Sequence, residues 1–146
     1  VRAAMKTRTL FNILGPLANP AGPTHGVFGV YSPELLEPYA KTLMLLGQHR
    51  AMIVHGDGLD ELALHGESMI YDLEHGDIRK LTVTAQDFGL PHYSLSAIEG
   101  GEPEENRQFV ESALNGEGKE AHRAAIAMNC GALLKVTGKV TTFKVE

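Results

Sequence analysis

A single cysteine, Cys130, stands in the 146-residue chain, so no internal disulfide can form. It has neither CxxC spacing nor clustered ligand partners, which argues against a thiolate metal site. Its place in an apolar helical run makes it an expected core thiol. No apolar stretch approaches the roughly 18 residues that a bilayer span needs, and no signal-peptide pattern is present. A soluble, cytoplasmic protein without a membrane partner is expected. Positive charge is also in short supply: 13 Lys and Arg against 18 Asp and Glu leave a net charge of −5. With no dense basic stripe, general nucleic-acid binding is disfavoured, although a local basic pocket for a small anion remains compatible. Internal repeats and low-complexity linkers are missing too. The first residue is Val1 rather than methionine, and an upstream portion is expected.

What the chain does have is ordinary globular material. Hydrophobic residues make up 43% of it, which argues against disorder. The length suits one domain or a piece of one, burying roughly two thirds of its unfolded surface. Residues 8–14 read as a short helix stopped by Gly15-Pro16, followed by a Gly- and Pro-rich loop to Gly26. Residues 27–30 read as a short buried strand. Ser32-Pro33-Glu34 then opens a helix, with a capping hydroxyl, a first-turn proline and an early acid. Leu35, Leu36, Tyr39, Leu43 and Leu46 recur at helical spacing, and Gly47 supplies the stop. Residues 51–55 return as a strand. Strand, helix and strand with short connections are the βαβ signature of a parallel sheet. Further on, residues 62–64, 68–73 and 78–83 read as short strands, the last two joined by the turn Glu74-His75-Gly76-Asp77. Helices are expected over 103–114, ended by Asn115-Gly116, and over 119–137, ended by Gly138.

The most telling run is Asp57-Gly58-Leu59-Asp60-Glu61, which follows the apolar stretch Ala51-Met52-Ile53-Val54 across a short loop. In open α/β sheets, ligands bind at strand ends where the following loops project. Adjacent acids there either hold a hard cation such as Mg²⁺ or face solvent. Magnesium takes oxygen ligands, keeps several waters and is often shared between one or two carboxylates and substrate phosphates. Asp57 reads as a turn residue, and Asn12 and Asn19 as capping or turn residues. The seven histidines are scattered without an i,i+4 ligand pair. His55, at the strand end beside the acids, reads as structural. No Ser/His/Asp nucleophilic arrangement is evident.

Several long motifs stand in order along the chain: Arg2, then Arg8-Thr9-Leu10-Phe11-Asn12-Ile13-Leu14-Gly15-Pro16-Leu17-Ala18-Asn19-Pro20, then His55-Gly56-Asp57-Gly58-Leu59-Asp60-Glu61 and Asp87-Phe88-Gly89-Leu90. Gly100-Gly101 and Glu104-Glu105-Asn106-Arg107 complete the series. Together they closely resemble the anthranilate phosphoribosyltransferase family of tryptophan biosynthesis, over essentially all 146 residues. The resemblance implies a portion of the nucleoside phosphorylase/phosphoribosyltransferase catalytic domain, an α/β fold with a mixed sheet flanked by helices. It implies transfer of phosphoribose from phosphoribosyl pyrophosphate to anthranilate. Arg2 would receive the anthranilate carboxylate, with Gly15 and Pro16 lining the anthranilate channel, while Arg8 would tie a helix start to nearby backbone. Glycine allows close backbone approach to a flat ring, and proline gives a rigid wall without a donor. Asp60 and Glu61 would bind Mg²⁺. No general base is identified.

The same resemblance implies that these residues are the carboxyl-terminal part of the domain. The family's pyrophosphate-cradling glycine-rich loop, its Lys-His-Gly-Asn segment and its amino-terminal helical domain, which carries the usual homodimer surface, would lie upstream. The carboxyl end is expected to be short by about a helix, and the 146 residues alone are expected to be inactive. A pyrimidine nucleoside phosphorylase would need phosphate- and base-binding motifs that do not occur here. A non-catalytic nucleic-acid-binding relative would show a basic surface and lost acids, whereas Asp60-Glu61 are kept.

Overall fold

The computed structural model describes residues 11–144, with side chains from Ile13 onward. Helix α1 (Phe11–Leu17) leads to strand β1 (His25–Gly29). A 3-10 turn (Pro33–Leu35) passes into helix α2 (Leu36–Leu45), and strand β2 (Arg50–Gly56) follows. Strands β3 (Ser68–Glu74) and β4 (Asp77–Val83) come next, then 3-10 turns at Ala85–Phe88 and Leu95–Ala97, helix α3 (Pro103–Leu114) and helix α4 (Glu120–Val136). The four strands form one sheet in the order β1-β2-β3-β4. The β1/β2 pair is parallel, while β2/β3 and β3/β4 are antiparallel, so the sheet is mixed as expected.

Strand β2 is the spine of the molecule. Its residues from Ala51 to Gly56 are all buried, as suits a strand covered on both faces. Side chains alternate across a strand, so Met52 and Val54 enter a core with Ile70, Phe88, Met128 and Val136. Ala51 and Ile53 enter a second core with Val30, Leu36, Tyr39 and Leu43 on the other face. Helix α4 therefore covers one face and α2 the other. Each fully buried apolar side chain contributes about 1.5–3 kcal/mol relative to exposure.

Several local readings need correction. The first helix is not stopped by Gly15-Pro16: α1 runs through both, with Pro16 inside it. Proline removes one helical hydrogen bond, and the helix ends one residue later, so little is lost. Strand β1 is only half-buried and covers residues 25–29 rather than 27–30, because it takes an edge of the sheet. Ser32 gives no side-chain cap; a 3-10 turn with Leu35 N–H donating to Ser32 O carries the chain into α2. The stop at Gly47 holds: at φ +81° its N–H reaches Met44 O, and Gln48 N–H reaches Leu43 O.

Residues 62–64 are fully buried but form no strand. Several of their backbone groups are satisfied outside any ladder. Leu62 N–H donates to Asn129 Oδ1 at 3.1 Å, Ala63 N–H to Ser68 Oγ at 2.9 Å, and Tyr93 N–H to Leu64 O at 3.3 Å. Buried apolar side chains need only a covered surface, whereas a strand needs a neighbour at ladder distance.

Candidate functional site

Parallel β1 and β2 end at the same rim of the sheet, where Gly29 pairs with Val54. The chain leaving β1 and the loop leaving β2 meet there, which is where open α/β sheets collect ligands. The β2 loop turns at once: Asp57 and Gly58 form the turn, and Gly56 bridges back to Leu59. Asp57 behaves as the expected turn residue, its N–H bonded to Glu67 O at 3.1 Å. His65 Nε2–H donates to Asp57 O at 2.9 Å, and His92 Nε2–H to His65 O at 3.0 Å, so two histidines tie the loop down. His55 is buried, and its Nδ1–H donates to Val30 O at 2.8 Å, bracing the ends of β1 and β2 together.

Asp60 and Glu61 are both open to solvent, yet they border different hollows. Asp60 lines a cleft of about 270 Å³ with Ile13 of α1, Gly29, Val30 and Tyr31 after β1, and Leu35 and Tyr39 of the α2 entry. Tyr39 Oη–H donates to Ile13 O at 3.4 Å, tying α1 to this cleft. Glu61 lines a more apolar cavity of about 440 Å³ between α3 and α4, with Asn106, Phe109, His122, Asn129 and Cys130 among its walls. Partial burial, then the adjacent charge of Asp60, pushes the Glu61 carboxyl above its usual range. Crowded negative charge of this kind is relieved by a cation. Among the described residues no group of three or more His, Cys, Asp or Glu side chains could hold a metal. The pair therefore fits only an ion that draws its remaining ligands from water or a bound phosphate, which is the habit of Mg²⁺.

Of the other expected site residues, Arg2 and Arg8 lie outside the described residues. Gly15 and Pro16 are exposed on α1, and a methyl group on Gly15 would meet nothing within 4 Å, so the space beside it is open. Ile13 of the same helix lines the Asp60 cleft, so the structure brings α1 and Asp60 together, while Glu61 turns to the second cavity. Cys130 is exposed rather than a core thiol.

Sequence reasoning missed the supports of the acidic loop: Asn129, Ser68, Gly29 and Gly56. It also left the Gly100-Gly101…Glu105-Asn106 run without a role. Asn106 grips Gly101 from both sides, accepting from its N–H and donating to its O at 2.8 Å each. Glu102 and Glu105 form a capping box at the start of α3. A side chain on Gly100 would crowd Asn106 Oδ1. The run is a helix-start lock built from its own residues.

The family described as "Glycosyl transferase family, a/b domain" matches residues 1–145. The chain is similar to anthranilate phosphoribosyltransferase of Tolumonas auensis, 54% identical over 144 residues, covering 99% of this chain and 43% of that protein. It is 41% identical to the crystal structure of anthranilate phosphoribosyltransferase from Thermus thermophilus, with a TM-score of 0.86, covering 97% of this chain and 42% of that one. The Saccharomyces cerevisiae enzyme in complex with PRPP and Mg matches with 26% identity and a TM-score of 0.81, covering 98% and 42% of the two chains. This chain thus spans less than half the length of these relatives.

Proposed function

The chain belongs to the glycosyl transferase family, a/b domain, and from that premise we propose that it serves in an anthranilate phosphoribosyltransferase, supplying the acidic loop and the acceptor side of the active site. In this reading the amine of anthranilate attacks C1 of the ribose of phosphoribosyl pyrophosphate, a C–N bond forms as the C1–O bond to pyrophosphate breaks, and the new ammonium sheds one proton as pyrophosphate departs. The product is phosphoribosylanthranilate, made for tryptophan biosynthesis. The observation that carries the reading is that the loop bearing Asp60 and Glu61 stands at the rim where β1 and β2 end, with Asp60 beside a cleft that α1 also lines.

Asp60 and Glu61 would hold Mg²⁺, together with water and the diphosphate. When bound, the cation screens the charge of the leaving diphosphate, a form of stabilisation that is commonly the largest catalytic contribution. Arg2 would receive the anthranilate carboxylate through its two parallel N–H groups. Gly15 and Pro16 would bound the slot for the ring, a role supported by the open space beside Gly15. An aromatic amine is neutral near pH 7, so its lone pair needs no base before attack. Positioning that amine under C1 would supply much of the remaining acceleration. Anthranilate and phosphoribosyl pyrophosphate are thus the proposed small-molecule partners, and a homodimer is proposed for the whole enzyme.

The test is the double substitution Asp60→Asn with Glu61→Gln in a full-length chain carrying this segment. Magnesium-dependent transfer should fall by at least roughly a hundredfold, with circular dichroism unchanged and melting of the metal-free protein not lowered. Wild-type turnover in that variant would remove the pair from the mechanism.

A further inference from the structure

We infer that Asn129 is a positioning residue for the acid pair, fixing the backbone that aims Glu61. The inference rests on the reading of Asp60 and Glu61 as metal ligands. The geometry is specific to three successive peptide groups. The carbonyl between Asp60 and Glu61 lies directly over Gly29, where a β-carbon would collide with it. In the next peptide, the Glu61 carbonyl lies over Gly56 under the same constraint. The N–H of that same peptide, on Leu62, donates to Asn129 Oδ1 at 3.1 Å. In the third, the Leu62 carbonyl accepts from Asn129 Nδ2 at 3.4 Å, and the Ala63 N–H donates to Ser68 Oγ at 2.9 Å.

The peptides on both sides of Glu61 and the one after it are therefore held, and with them the direction in which the Glu61 side chain leaves the backbone. Each holding group comes from a different element: Gly29 from β1, Gly56 from β2, Ser68 from β3 and Asn129 from α4. Of the two side chains among these, Asn129 hydrogen-bonds two peptides and Ser68 one. Its amide also donates to Ala125 O at 3.1 Å, one turn back on α4, so the side chain is itself braced. It borders the same cavity as Glu61. A polar side chain in a helix interior that spends both its donor and its acceptor on a distant loop is spending them on that loop's shape.

The role predicts a selective defect. In a full-length chain, Asn129→Leu keeps similar bulk and removes both loop contacts. Amide hydrogen exchange in the metal-free protein should speed up at least tenfold at Leu62 and Ala63, with little change in β2 and β3. The Mg²⁺ concentration for half-maximal activity should rise by about tenfold, with KM for anthranilate within about twofold of wild type. Calorimetric titration with phosphoribosyl pyrophosphate should show a matching loss of affinity only when Mg²⁺ is present. Unchanged exchange at residues 62 and 63, or an unchanged Mg²⁺ requirement, overturns the inference. If Asn129→Leu does not fold, Asn129→Ala, which removes the same two loop contacts, takes its place. It should raise the Mg²⁺ requirement by a similar factor, and no rise overturns the inference. The Asp60→Asn/Glu61→Gln variant run alongside separates the two readings. If that variant is inactive while Asn129→Leu matches wild type, only the positioning role falls. If the double variant stays fully active, the metal reading itself falls.

Discussion

Glu61 carries a charge that the fold opposes, first through partial burial and then through Asp60 beside it. The consequence for stability has a definite sign. A carboxyl raised in the folded state binds a proton more readily there than in the unfolded chain, so ionising it costs stability. That cost is absent below the ordinary carboxylate range, where both states are protonated. It grows as pH rises toward the raised folded value and is complete above it. In metal-free protein, Glu61→Gln should therefore melt higher than wild type at neutral pH. The advantage should vanish on acidification below the usual carboxylate range, as read by thermal melts across pH. An advantage independent of pH would mean that the charge is not the cause. At this scale the acids themselves were legible, because two adjacent carboxylates after an apolar strand form a local pattern. Asn129 was not, since its partner lies 67 positions away in sequence. Cys130 was legible in principle. Helix α4 buries Ala121, Ala124, Met128, Ala132 and Val136, and a residue two places from Met128 falls on the opposite side of a 3.6-residue turn.

Among the elements, β3 and β4 were readable from their turn. His75 at φ 48° and Gly76 at φ 90° form the kind of two-residue connection that matches strand twist. What composition did not reveal is how the spine strand is anchored at the rim opposite the acids. There Arg50 of β2 forms an ion pair with Asp72 of β3, while its Nη1–H also donates to Leu73 O at 2.9 Å. Both side chains are nearly buried, at 11% and 9% exposure, so the Asp72 charge depends on Arg50, which also lies 3.7 Å from the more exposed Glu74 carboxylate. Arg50→Met leaves Asp72 without its partner and should cost about 3 kcal/mol or more in urea unfolding. Adding Asp72→Leu should recover much of that loss, because replacing both partners of a buried pair is far milder than removing one. If the double variant is as unstable as the single, packing rather than charge explains the defect. Residues 62–64 teach a related lesson. A short apolar triplet looks the same whether it joins a ladder or lies as a strap over a core, and only the third dimension separates the two.

For the molecule as a whole, two cores separated by one strand explain why the βαβ half was read correctly and why the sheet then changes character. The parallel pair needs a crossover helix, which α2 supplies, whereas β3 and β4 return by tight connections. Among the described residues no helix is long and apolar enough to cross a membrane. Acidic balance is a property of the whole chain too. With a net charge of −5, duplex DNA should show no salt-dependent retention in fluorescence anisotropy, and micromolar binding that weakens steeply with salt would contradict this expectation. The acidic excursion between residues 57 and 67 leaves and re-enters the sheet at one doorway, since Gly56 and Ser68 face each other across β2 and β3. Its two feet are thus clamped by the ladder whatever lies between them, and lengthening such a closed span costs only logarithmically in entropy. Only the exposed tip at Asp57-Gly58 is free to vary in this way: a longer turn grafted there would reshape the rim while the buried strap at residues 62–64 keeps the strands in register.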